Sequence, residues 1–208
     1  MNIRLGVDFD NTIISYDGVF HRVAVERGLI PETVGCAKGE VRDWLRAGNR
    51  EDDWTGLQGF VYGQMVPRCE PYAGVLAFFR AARAAGIKVF IVSHKTRYPY
   101  VGPKYDLHEA ARAFITGQRM HELDLAKDRV FFEITKMDKL ARIAMLGCTH
   151  FIDDLPEFLA EKTFPHGVQR ILFDPACLHE DETRFIRICH WNELPAAIGV
   201  SNLTVEGG

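Results

Sequence analysis

Several features that would mark a function class are missing from this sequence. Five cysteines, Cys36, Cys69, Cys148, Cys177 and Cys189, are scattered along it, odd in number and with no Cys-x-x-Cys pair. That spacing indicates neither a disulfide framework nor a zinc knuckle. It fits a reducing, cytoplasmic setting in which each thiol is a small apolar filler. No apolar run approaches the ~20 residues needed to span a bilayer; the strongest central run covers only Ile87 to Val92. The opening Met-Asn-Ile-Arg leads straight into a strand-like segment, so no secretory leader is expected. Charge of one sign is also lacking. Lys and Arg number 25 against 28 Asp and Glu, a formal net charge of -3. Nothing therefore draws the chain as a whole to nucleic acid or to an anionic membrane. There is no Gly-x-x-x-x-Gly-Lys-[Ser/Thr] phosphate loop, and Gly28, Gly35 and Gly39 make no dinucleotide fingerprint. The histidines other than His94 show no metal-ligand spacing and read as structural or exposed.

What is present is ordinary material for a globular protein. The 208 residues, 47% hydrophobic and 25% charged, can bury a proper core in one domain and still leave room for a smaller one. Short apolar runs at Arg4–Val7, Ile87–Val92, Arg129–Phe132, Thr149–Ile152, Gln169–Phe173 and Phe185–Cys189 read as strands. They are continuous rather than alternating, which suits strands covered on both faces. Helical spacing lies between them. Gly74–Ala85 stops at Gly86, and Thr135–Leu146 starts with a candidate Thr cap and stops at Gly147. Leu155–Lys162 and Glu193–Ile198 are shorter helices. This alternation predicts an α/β fold, a three-layer sandwich with a doubly wound, Rossmann-like parallel sheet. Residues 15–71 are far longer than a crossover needs. They carry helical patterns at Val19–Arg27 and Gly39–Ala47, then a Gly-spaced aromatic stretch, Trp54–Met65. They are expected to form an inserted helical subdomain, with Trp44, Trp54, Phe60 and Tyr62 as its packing. Residues 1–14 and 72–208 would form the core. A Pro/Gly/Tyr loop, RYPYVGPKYD, and a helix near Leu107–Thr116 lie between the second and third strands.

Ligands of open parallel sheets bind beyond the carboxyl ends of the strands, so the residues that follow each strand carry the functional reading. After the first come Asp8, Asp10, Asn11 and Thr12; after the second, Ser93, His94, Lys95 and Thr96. Lys136 opens the helix before the fourth strand, and Asp153 and Asp154 follow that strand. Carboxylates gathered at one edge repel one another and call for a cation, and oxygen ligands select a hard one such as Mg²⁺. Hydroxyls and a lysine beside it suit phosphate oxygens. One Asp can then act as nucleophile and another as acid and base. Taken singly each group has a plainer reading: Asp8–Asn11 as an Asx turn, Ser93 as a strand-end hydroxyl, Asp153-Asp154 as a helix cap. The basic group His94, Lys95, Arg97 and Lys104 is either a solvated loop or a grip on a second anion of the substrate.

Together the four stretches resemble the haloacid dehalogenase (HAD) superfamily of phosphohydrolases. Asp8-Phe9-Asp10-Asn11-Thr12 is similar to its first motif, DxDx[TV]. VFIVSHKT with Ser93 resembles the second, Lys136 in KMDKLARI the third, and FIDD with Asp153 and Asp154 the fourth, in the same order. The resemblance implies a Mg²⁺-dependent phosphatase of small phosphorylated metabolites, such as a sugar phosphate or a nucleotide monophosphate. Asp8 would take the phosphoryl group. Asp10 would serve as acid and base, and Thr12, Ser93 and the backbone near His94 would hold phosphate oxygens. Lys136 would balance charge; it is preferred over Lys139 because it stands at the helix start, whereas Lys139 would line a solvated face. The metal would be held by Asp8, Asp10 through its backbone carbonyl, Asp153 and Asp154. Asn11 replaces the Gly more frequent in the family, and Asn tolerates strained loop geometry. The inserted subdomain corresponds to the family's mobile lid. A phosphomutase using the same intermediate, a receiver-like phosphoacceptor and a non-catalytic regulatory domain stand as alternatives. The sequence leaves the substrate and the oligomeric state open.

Overall fold

The computed structural model describes residues 3–201 and 203. In chain order the elements are β1 (Arg4–Val7), a two-residue strand β2 (Ile14–Ser15), α1 (Val19–Glu26), α2 (Lys38–Ala47), α3 (Glu51–Phe60) and a second short strand β3 (Glu70–Pro71). They continue as α4 (Val75–Ala84), β4 (Lys88–His94), α5 (Leu107–Gly117), β5 (Val130–Glu133), α6 (Lys136–Met145) and β6 (His150–Asp153). The last are α7 (Pro156–Leu159), β7 (Gln169–Phe173), β8 (Ile186–Ile188) and α8 (Leu194–Ala197). All six apolar runs read from the sequence become strands of one sheet, in the order β5-β4-β1-β6-β7-β8. Every pairing in it is parallel. The first strand lies in the middle, so the chain winds outward in both directions from β1. That arrangement is the doubly wound sheet, and it places the ends of β1, β4 and β6 side by side.

The sheet is buried by helices on both faces. On one, Phe90 and Val92 of β4, Phe151 of β6 and Leu172 of β7 pack with Leu140 and Ile143 of α6 and Phe158 and Leu159 of α7. On the other, Phe78 and Phe79 of α4 meet Trp191, which also contacts Phe173 of β7. Each such aromatic, fully removed from water, contributes roughly 1.5–3 kcal/mol. Thr135 caps α6: its hydroxyl accepts from the backbone N–H of Asp138 at 3.0 Å, an arrangement worth about 1 kcal/mol. Cys69 and Cys148 are buried as filler, but Cys36 and Cys177 are exposed, against the expectation for every thiol. Among the described residues no helix is long and apolar enough to cross a membrane.

The chain divides into two compact units. The first takes the N-terminal stretch through Ile14, Pro71–Lys95 and the chain from Arg119 on; the second takes Ser15–Glu70 and Thr96–Gln118. The sequence pattern leaves residues 96–118 with the core. The structure gathers them with the inserted segment, and the Gly-spaced stretch supplies the reason. A Cβ on Gly59 would stand 2.6 Å from Cβ of Pro99, and one on Gly63 would stand 2.5 Å from Cβ of Tyr105. Only glycine lets the 99–105 loop approach that closely. Phe60 meets the Tyr105 ring edge-on at 6.2 Å, and α5 packs on the π-helical turn Val61–Met65 and on Val66–Arg68. Asp106 caps α5 by accepting from the N–H groups of His108 and Glu109, and Arg97 Nε donates to the same carboxylate at 2.9 Å. Arg97 is thus bound within the second unit.

Candidate active site

The site lies in the first unit, at the carboxyl ends of β1, β4 and β6. The ladder runs past the end of β1, where the N–H of Asp8 donates to the Ile152 carbonyl at 2.9 Å. The chain then turns sharply. Ile13 and Ile14 both donate to the Phe9 carbonyl, at 3.0 and 3.1 Å, with Asn11 at φ 55°. That left-handed position is one that Asn, alone among the common non-glycine choices with Asp, adopts at small cost. The turn buries Thr12 and leaves Asp10 at its rim. Trp191 Nε1 donates to the Thr12 carbonyl at 3.0 Å and fixes the far side of the turn.

Asp8, Asp153 and Asp154 each bring one carboxylate oxygen within 4.8 Å of the other two. Asp8 and Asp153 are buried, and Lys139 lies between them with Nζ at 2.6 Å from Asp8 Oδ1 and 2.6 Å from Asp153 Oδ2. Asp153 Oδ1 accepts from the N–H of Leu155 at 3.0 Å, and the Thr12 hydroxyl donates to Asp154 Oδ1 at 3.4 Å. The Lys139 ammonium also rests 4.0 Å above the Phe158 ring. Two carboxylates this close repel by at least about 3 kcal/mol at an effective dielectric constant near 20. Burial away from water pushes the Asp8 carboxyl up to about 7, with Asp153 adding to the rise and Lys139 opposing it. The same two acids hold Lys139 above its ordinary value against the cost of its own burial. One ammonium cannot balance three carboxylates. The remaining two negative charges match one divalent cation, and an all-oxygen donor set fits a hard one.

The sequence points to Lys136 as the site lysine; the structure places Lys139 there and leaves Lys136 exposed. The reason is the direction of side chains on a helix. They lean toward the N-terminus and cover the turn before their own Cα. The N-terminus of α6 faces the carboxyl edge of the sheet, so a lysine one turn inside the helix reaches that edge. A lysine at the first position points past it. Lys139 also neighbours Leu140 in the buried stripe that continues to Ile143.

Asp10 stands apart from the acid cluster. Its carboxylate pairs with Lys95, Nζ lying 2.7 Å from Oδ2 and 3.0 Å from Oδ1. Its side chain is not among the clustered carboxylates. In the sequence Lys95 belongs to a basic group, yet it is only 4% exposed. β4 reaches His94, and the N–H of Lys95 extends the pairing by donating to the Glu133 carbonyl at 2.8 Å. Side chains alternate along it: Ser93 in, His94 out, Lys95 in. Counting by twos from Ser93 would have found Lys95. The outward His94 ring meets the Ile134 carbonyl at 3.0 Å through Nε2. Ser93, 1% exposed, points inward.

No family model matches the sequence, and no curated protein is detectably similar to it. Solved structures are. A HAD family hydrolase from Deinococcus radiodurans R1, with bound phosphate and sodium, superimposes with a TM-score of 0.59 at 16% identity, over 99% of this chain and 98% of that one. A predicted phosphoglycolate phosphatase from Haemophilus somnus 129pt gives 0.57 at 13%, over 94% and 98%. A HAD-superfamily hydrolase from Ehrlichia chaffeensis gives 0.55 at 14%, over 94% and 95%. The chain has the HAD hydrolase fold. At these identities the likeness concerns architecture, and function must be argued from the groups the fold carries. In this HAD-fold chain those groups are Asp8, Asp10 with Lys95, Thr12, Ser93, Lys139, Asp153 and Asp154.

Proposed function

We propose that the chain is a Mg²⁺-dependent phosphohydrolase of small phosphorylated metabolites, acting through an aspartyl-phosphate on Asp8. The observation that carries this reading is the meeting of Asp8, Asp153, Asp154 and Lys139, three separate stretches of sequence, around one buried point. Phosphoryl transfer asks mainly for positioning and charge neutralisation. Bound there by Asp8, Asp153 and Asp154, Mg²⁺ would supply neutralisation of the phosphoryl charge.

The residues divide the remaining tasks. An Asp8 oxygen attacks phosphorus while Lys139 holds the carboxylate in place and offsets the charge that builds on it. The Thr12 and Ser93 hydroxyls, both buried, receive phosphoryl oxygens. Asp10 gives a proton to the leaving oxygen and later takes one from the hydrolytic water, and Lys95 fixes its carboxylate at the rim between those steps. The second unit is proposed as the substrate-selecting cap. Phosphate bound in the Deinococcus radiodurans protein is in keeping with an oxyanion ligand for this architecture.

The test is phosphate release from a panel of phosphorylated metabolites and a generic aryl phosphate in Mg²⁺, with Asp8→Asn as the blank. Hydrolysis by the native chain and none by Asp8→Asn supports the proposal. Equal release by both ends it, as does a panel with no hydrolysis in any divalent metal.

A further inference from the structure

Between β7 and β8 the chain makes an excursion that Asp174 ties down. Its Oδ1 accepts from the N–H of Leu178 and its Oδ2 from the N–H of His179, each at 2.9 Å. Arg187 Nη1 donates to the same Oδ2 at 3.2 Å, and the N–H of Asp174 donates to the Ile188 carbonyl at 2.9 Å. The two ends of the excursion are thereby closed on one buried carboxylate. The closure brings Cys177 and Cys189 together, with Sγ atoms 2.9 Å apart across 12 positions of sequence.

The backbone sets this approach. Cys177 sits at φ 51°, a left-handed conformation costly for a residue with a Cβ, and its N–H is held by the Asp174 carbonyl at 3.0 Å. Cys177 is exposed and Cys189 is half-buried, so Cys177 is the more open of the two to a reagent. Among the described residues the only grouping of three metal-capable side chains is the one at Asp8, so the two thiols lack the further ligands a metal would need.

We propose that Cys177 and Cys189 are a reversible disulfide-forming pair, oxidised by a low-molecular-weight disulfide at a site separate from the acid cluster. The Cys177 thiolate attacks one sulfur of the reagent; the reagent's S–S bond breaks, a mixed disulfide forms and one small thiolate leaves. The Cys189 thiolate then attacks Cys177 Sγ, forming the internal disulfide and expelling the second small thiolate. The two protons of the protein thiols end on the two released thiols, and the two electrons pass from the protein sulfurs to the reagent. The order follows from exposure, and from the thiol of Cys189, pushed up to about 11 chiefly by its hydrogen bond with Cys177. Capping of Cys177 removes that cause and frees Cys189 for the second step. Cys189 stands two positions before Trp191, whose indole N–H donates to the Thr12 carbonyl.

The test uses the full chain in a Cys36→Ser background, because Cys36 is also exposed. The folded protein is treated with oxidised glutathione. One portion, not alkylated, is freed of glutathione and titrated for thiols in denaturant; the other is alkylated and mapped with trypsin, which cuts between the two cysteines at Arg184 and Arg187. The expected result is a fall from four thiols to two, a linked peptide pair containing Cys177 and Cys189, and reversal by dithiothreitol. With Cys189→Ser added, the reaction should stop with glutathione on Cys177. Circular dichroism checks that this variant folds, and the peptide map of the parent is decisive by itself. Four thiols surviving, glutathione remaining on Cys177 beside a free Cys189, or a disulfide between another pair overturns the proposal.

Discussion

Replacing Lys139 by Met tests the electrostatic arrangement of the site. The ammonium is 3% exposed and bonds two buried carboxylates at 2.6 Å each. Met keeps the approximate length of the side chain and its packing on Phe151 and Phe158 but removes the charge. Deleting one partner of a buried ion pair costs about 3–5 kcal/mol. For a chain of this size each kcal/mol is worth roughly 2–4 °C in melting temperature, so Lys139→Met should melt about 6–20 °C below the parent in EDTA at pH 8. Lys136→Met, at an exposed position, should stay within about 0.5 kcal/mol, or 2 °C. The deficit of Lys139→Met should shrink as pH falls toward 5, because protonation of Asp8 relieves the repulsion that Lys139 otherwise offsets. Differential scanning fluorimetry of the three proteins across pH 5–8 measures this directly. In the phosphate-release assay Lys139→Met should lose about 10²–10³-fold, the cost typical of losing a preorganised charge stabiliser, while Lys136→Met stays within a few-fold. Two variants that melt alike, or a larger defect at Lys136, would refute the assignment of the lysine.

Other expectations follow from the same geometry. In the metal-free protein the folded-state pKa of Asp8, about 7, lies above its ordinary value of 3.8, so the folded state holds the extra proton between those limits. Stability should therefore be highest near pH 4 as far as this group is concerned and fall as pH rises to about 7; a flat melting profile in EDTA over that window would contradict it. Saturating Mg²⁺ at 100 times its dissociation constant should add about 2.7 kcal/mol, read as a rise of about 5–11 °C at pH 8, and Asp153→Asn should abolish that rise. Lys95→Met should slow phosphate release and lower stability by about 1–3 kcal/mol through the loss of the partner of Asp10; unchanged kinetics would remove Lys95 from the site. Gly59→Ala, whose Cβ would press on Pro99 at 2.6 Å, should cost about 1–3 kcal/mol by overpacking. It should also speed proteolysis within residues 96–105, and native-like resistance there would argue against the close approach.

The sequence by itself determined the six strands, the helices between them and the polar residues waiting at the strand ends. Those features are written locally: an apolar run, a Thr cap at position 135, a Gly stop at 86 or 147. Only neighbours in sequence are needed to read them. Parallel strands with helical crossovers then force a wound sheet, and the acids of the first and fourth runs fall on one edge. Which lysine completes the site was decided in three dimensions. Lys136 and Lys139 share a helix, and only the tilt of side chains toward the sheet edge separates them. Lys95 was hidden for a related reason: whether a strand ends at Val92 or continues to His94 depends on the Glu133 carbonyl that its successor finds on β5. The pairing of residues 96–118 with the inserted segment, and of Cys177 with Cys189, likewise rests on contacts between distant positions. No local pattern specifies these, because their energies depend on distances that exist only once the chain has folded.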